Sequence, residues 1–154
     1  MKKFYVSVLG AFLLAGAIAI AAPPVSGPSA ENLWDKLDGY AGWQGWPGHT
    51  GMHPGKSPHG AFHSIHVNAL GLNARELPLP DGAIVVKANY NEEKRLTALT
   101  VMYKVDGYAP ENGDWFYAKY APDGTVQAEG QPSGCVGCHQ AVADSDYLFL
   151  RKAQ

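Results

Sequence analysis

The apolar positions of this chain fall into short alternating runs separated by turns. The clearest spans Thr97 to Val105, where Leu99, Val101, Tyr103 and Val105 recur at every second residue. A period of two puts them on one face of a strand. Ala83 to Tyr90 reads as a second strand, opened by the turn Pro80-Asp81-Gly82. Trp115 to Tyr120 reads as a third, closing at Pro122-Asp123-Gly124, with Thr125 to Ala128 pairing back on it as a hairpin. Phe62 to Ala69 is a shorter strand, with His63, Ile65 and Val67 on one side and Phe62, Ser64 and His66 on the other. Short connections favour antiparallel pairing. The helical pattern is sparse. Ser29 is placed to cap a short helix bearing Leu33, Trp34 and Leu37 and ending at Gly39. Tyr40 to Gly60 has no clean period and reads as an ordered loop. A short helix around Cys135 precedes an extended tail. The expected fold is mainly β (α+β): an antiparallel β-sheet with a few short helices.

Composition narrows the class. A length of 154 residues implies one domain. A hydrophobic fraction of 46% with a net charge of −2 excludes a disordered chain. Twelve Lys and Arg against 14 Asp and Glu argue against nucleic acid as a partner. Eighteen glycines and 11 prolines argue against a long-helix bundle.

The N-terminus suggests a compartment. Met1-Lys2-Lys3 is a basic start, Phe4 to Ile20 is apolar apart from Ser7 and the glycines, and Ala19-Ile20-Ala21 has the small-x-small form of a processing site. We therefore expect a signal peptide over 1–21, a flexible lead-in over 22–30 and a single domain over 31–154. The alternative is a retained membrane anchor, because the run is about long enough to span a bilayer. Its Ala and Gly content and its processing site favour cleavage. The expected location is the periplasm, free of the membrane after cleavage. That compartment is oxidising.

The chemistry sits at Cys135-Val136-Gly137-Cys138-His139. Cys-x-x-Cys-His is the attachment signature of c-type haem. Two thiols three residues apart on a helical turn reach both vinyl groups of one porphyrin, and the next residue places an imidazole under the iron. Cys135 and Cys138 would hold the haem and His139 would be its proximal ligand. Three other readings compete. A disulfide between such close cysteines closes a tiny loop and stabilises little. A thioredoxin-like pair belongs near the start of a βαβ unit, which is not where this motif falls. A zinc site needs two further ligands, which His59, His63 and His66 would have to supply. No Met or His follows His139, so a sixth iron ligand comes from upstream or the position stays open, with Lys152 a formal candidate. Met52, read as lying in the loop, and Met102, read as packing from a strand, are the thioether candidates.

A series of segments then resembles the cytochrome P-460 family, which includes the c-prime-beta cytochromes. They are Pro58-His59-Gly60, Ile65-His66-Val67-Asn68, Leu79 to Lys87 (LPDGAIVVK), Leu99 to Lys104 (LTVMYK), Asp114 to Tyr120 (DWFYAKY) and the haem motif. Their order and spacing cover roughly residues 31 to 150. The resemblance implies a mostly antiparallel β fold, usually a homodimer, with one covalent haem c on one side of the sheet. It also implies one of two chemistries. Cytochrome P-460 proper oxidises hydroxylamine and links a lysine to the porphyrin edge. The c-prime-beta members bind nitric oxide or carbon monoxide at a five-coordinate iron capped by apolar side chains. By the Asp-Gly-x-x-x-x-Lys stretch, Lys87 matches the linking lysine. From pattern alone, Lys87 reads instead as a solvent-facing or rim lysine in an edge strand, where lysines deter aggregation. The implied partners are a small nitrogen-containing substrate or gas and an electron-accepting cytochrome. A base near the iron would serve hydroxylamine oxidation, for which His59, His63 and His66 lie in the right half of the chain. Phe62 is a candidate apolar cap.

Overall fold

The fold is seen in a computed structural model that describes residues 27–150. The expected signal peptide, most of the lead-in and Lys152 lie outside the described residues. Among the described residues, no helix is long and apolar enough to cross a membrane.

One six-stranded antiparallel sheet forms the domain, with strands in chain order. They are β1 (Met52–Pro54), β2 (Phe62–Val67), β3 (Ile84–Tyr90), β4 (Leu96–Lys104), β5 (Trp115–Tyr120) and β6 (Val126–Gly130). Among the described residues three short α-helices accompany them, α1 (Ala30–Lys36), α2 (Ala69–Asn73) and α3 (Ser133–His139), with 3-10 turns at Tyr40–Gly42, Pro110–Asn112 and Gln140–Ser145. Strands β2 to β6 follow the alternation seen in the sequence. Strand β1 departs from the expected loop. It is three residues long, too short to show a period, and its Pro54 is tolerated because β1 pairs only with β2. The expected strand to Ala69 ends two residues early. The Asn68 side chain accepts from Gly71 N (3.1 Å) and Ile84 N (3.0 Å) and donates to Gly82 O (2.8 Å), which caps α2 and ties it to β3.

The register gives the sheet two unlike faces. Val86 sits between His66 and Val101, and Ala118 faces Val101 in turn. This face carries Ile84, Val86, Ala88, Leu99, Val101, Phe116 and Tyr120, all buried under Leu33 and Leu37 of α1. Ser29 caps that helix, as expected, by accepting from Asn32 N. Tyr120 donates its hydroxyl to Ala30 O at 2.7 Å and so pins α1 to the sheet. The opposite face carries Ile65, Val67, Val85, Met102, Trp115 and Tyr117. By register it also carries His63, Lys87, Asn89 and Thr100. Helix α3 covers only one end of it, through Cys135 and Val136.

Candidate functional site

Pro132 starts α3, and its carbonyl accepts from Cys135 N and Val136 N. Cys135 and Cys138 lie three apart on this helical turn and therefore on one side of it. Both are free thiols, Cys138 exposed and Cys135 half-buried. Burial pushes the Cys135 thiol up from its usual value. Side chains built at Gly134 and Gly137 would meet nothing within 4 Å, so the motif turn is open to a bulky group.

His139 is held in one orientation. Its Nδ1–H donates to the Tyr147 carbonyl at 2.7 Å, which leaves Nε2 free. A histidine that ligates a metal through one ring nitrogen usually donates the other to such a group. Tyr117 and Phe149 meet the imidazole edge-on, with ring centroids 5.4 and 5.2 Å away. Burial lowers the His139 pKa, against the Tyr147 hydrogen bond, and favours the neutral ligating form.

The Tyr147 carbonyl is itself fixed by a buried network. Asp146 and Tyr147 adopt left-handed backbone angles, with φ of 54° and 62°. Asp146 accepts from Leu79 N (2.7 Å) and pairs with Lys104 Nζ (2.5 Å). Trp115 Nε1–H donates to the Asp146 carbonyl at 2.9 Å, and Lys104 Nζ lies 4.7 Å from a Trp115 ring centroid. Breaking a buried pair of this kind by removing one partner costs about 3–5 kcal/mol. Gly113, at φ 65°, lets Tyr147 pack close, since a Cβ there would stand 2.5 Å from the Tyr147 ring. Sequence reasoning missed Asp146 and Tyr147 and expected an extended tail. The only signal was an acid beside the apolar residues Tyr147 and Leu148.

Lys87 projects from the same sheet face. It is not on an edge: β3 lies between β2 and β4. The edge-lysine reading therefore fails. Burial pushes the Lys87 ammonium down from its ordinary value, while Cys138 acts in the opposite sense. Its charge reaches His59, His63 and His139. The structure thus brings Lys87 together with the haem motif and two of the three upstream histidines.

His66 is on the other face. Its Nδ1 lies 3.4 Å from Trp43 O, and its ring meets Tyr40 edge-on. His63 and His66 therefore cannot converge on one ion. Among the described residues, no group of three or more His, Cys, Asp and Glu side chains is arranged to hold a metal ion. Phe62 shares the parity of His66 and lies under Lys94 Nζ, on the face opposite to Lys87. Met52 shares it too, being paired with Ser64, while Met102 is buried among Trp115, Tyr117 and Leu148.

Among the described residues, three buried side-chain atoms lack a hydrogen-bond partner: His63 Nδ1, Asn89 Oδ1 and Tyr117 Oη. All three residues project from the Lys87 face. Unsatisfied buried polar atoms are costly and normally signal a missing partner. A large, mostly apolar group with polar edges, held by two thioethers and one imidazole, fits this face and these donors.

An antiparallel sheet with one closed face and one face completed through Cys-x-x-Cys-His defines a c-type haem protein. Cys135 and Cys138 would attach the haem and His139 would ligate its iron, an arrangement that fits a redox-active centre. The chain belongs to the cytochrome P460 family, whose model matches residues 39–150. No curated protein matches it.

Proposed function

We propose that this protein is a periplasmic mono-haem cytochrome that oxidises a small nitrogen species, with hydroxylamine the leading substrate, and passes the electrons to another cytochrome. Haem c supplies an iron that binds the substrate and takes up its electrons. The chain's residues prepare the surroundings. Cys135 and Cys138 fix the group to α3. The Tyr147 carbonyl orients His139. His63, Asn89 and Thr100 provide polar groups beside Lys87 on this face.

The observation that carries this reading is Lys87. An interior-strand lysine whose pKa is pushed down by burial is biased toward the neutral amine, the form able to bond covalently to the porphyrin edge.

The test is an absorption spectrum with peptide mass analysis, after expression with cytochrome c maturation. The expected result is a red-shifted Soret band and a peptide containing Lys87 tied to the Cys135–His139 peptide. Hydroxylamine should then reduce an added electron acceptor. Haem held by Cys135 and Cys138 alone, with no hydroxylamine-dependent reduction, would replace this reading with a gas-binding one.

A further inference from the structure

The sheet face that carries Lys87 continues past the haem motif to a row of histidines at the β1 edge. His63 is 8% exposed, and its register partner on β3 is Asn89. Its two ring nitrogens have different fates. Nε2 lies 3.0 Å from His49 Nε2, a hydrogen-bonding distance that needs one proton between the two rings. Nδ1 is buried and has no partner. His49 stacks on His53 at a ring-centroid distance of 3.7 Å. His53, on β1, donates its Nε2–H to Thr50 O at 3.0 Å. Both His49 and His53 are partly exposed.

We propose that His63 and His49 form a proton exit from the haem-side pocket to solvent, with His63 as the base that meets the substrate's proton and His53 as the platform that holds His49. The inference rests on the hydroxylamine reading for its substrate, not for its geometry. With the shared proton on His63, Nδ1 is left as a buried lone pair without a partner, on the sheet face that carries Lys87. A proton arriving there makes an imidazolium. His63 Nε2–H then passes its proton to His49 Nε2, and His49 Nδ1–H releases one to water. One proton enters and one leaves. A rotation of each ring restores the starting tautomers. No electron moves in this step.

The charged and titratable neighbours suit the task. His63 faces Lys87 from β3, His49 from the loop and His53 from β1, all groups that disfavour a resident positive charge. Burial is the larger cause, and together they lower the His63 pKa to about 4. The imidazole is therefore neutral and able to accept a proton at neutral pH. A lysine consumed in a covalent link to the porphyrin would cease to repel that proton. His59 is not in this line. Its Nδ1 lies 3.4 Å from Thr100 Oγ1, within a network that Asn89 also joins.

The test uses the holoprotein and its His63→Gln, His49→Gln and His66→Gln variants, each first matched in haem content and absorption spectrum. Glutamine keeps size and hydrogen bonding but does not relay a proton. Deuterium exchange at each imidazole C2 position, read by mass spectrometry across pH, gives every histidine's titration without any turnover. The His49 midpoint should move in His63→Gln and stay put in His66→Gln, which lies on the other face. With hydroxylamine, His63→Gln should lower kcat by about 100-fold, the lower end of general base effects, with KM little changed. An unchanged His49 titration in His63→Gln would overturn the relay. Loss of that coupling with full turnover would do the same. Persistent coupling in a protein that oxidises no hydroxylamine would support the relay and remove the substrate reading.

Discussion

The two faces of the sheet are built on different terms. Under α1, β3 presents the buried apolar side chains of Ile84, Val86 and Ala88, and Leu33, Val86, Leu99 and Val101 are at most 1% exposed. That face is finished by the chain itself. On the other, strand β3 presents Val85, then Lys87, then Asn89, and the three unsatisfied buried atoms all lie there. The same strand therefore obeys ordinary burial on one parity and violates it on the other. Local violations of core rules concentrate where a ligand or reaction is handled.

Three perturbations separate the faces. The largest effect should come from Cys135→Ser with Cys138→Ser. Covalent haem is lost entirely, read as the mass of the intact chain, and the unsatisfied face loses its partner. If both faces depended equally on haem, near-UV signals from Tyr120 and Trp34, which touch on the helix side, would vanish with it. The expectation is that they persist. Next comes Leu33→Ala. A buried leucine truncation costs about 2–5 kcal/mol, measurable by denaturant unfolding. Haem stoichiometry and the position of the Soret band should not change.

The smallest effect is the response to acid. His59 and His63 both have pKa values lowered to about 4, first by burial and then by Lys87. An unfolded histidine takes up a proton near pH 6.5. Above that value neither state is protonated and no stability is lost. Between about pH 6.5 and 4 the unfolded chain binds protons that the folded chain refuses, so stability falls. Thermal unfolding should therefore soften over this window, and His63→Gln should flatten the slope. An equal slope in His63→Gln would show that the histidine is not charged at a cost in the fold.

The closed face was the legible one. Leu99, Val101 and Tyr103 repeat without interruption, so period alone locates β4 and its orientation. The β5–β6 hairpin follows from the short connection at Asp123-Gly124, and the turn Asp81-Gly82 marks where β3 opens after the longer segment that holds α2. The haem motif was legible because its spacing is the chemistry. What the pattern hides is whatever depends on meeting across the fold. His49 lies among Gly, Pro and Trp residues with no period, and only the pairing of β1 with β2 brings it to His63. Lys87 looks the same on paper in an edge strand or a central one, and the sheet order decides between them. Asp146 meets Lys104 across 42 positions of chain. No local signal marks such a pair.

The unbroken order β1 to β6 has a consequence for how the molecule comes into being. Each strand pairs with the one made just before it, so the sheet can be laid down by successive local closures, which are entropically cheap. Helix α3 follows the last strand. The cysteines therefore emerge onto a surface whose apolar floor already exists, and the attachment machinery meets a chain whose receiving half is in place. A haem motif ahead of the sheet would have to wait, loaded, for its own walls.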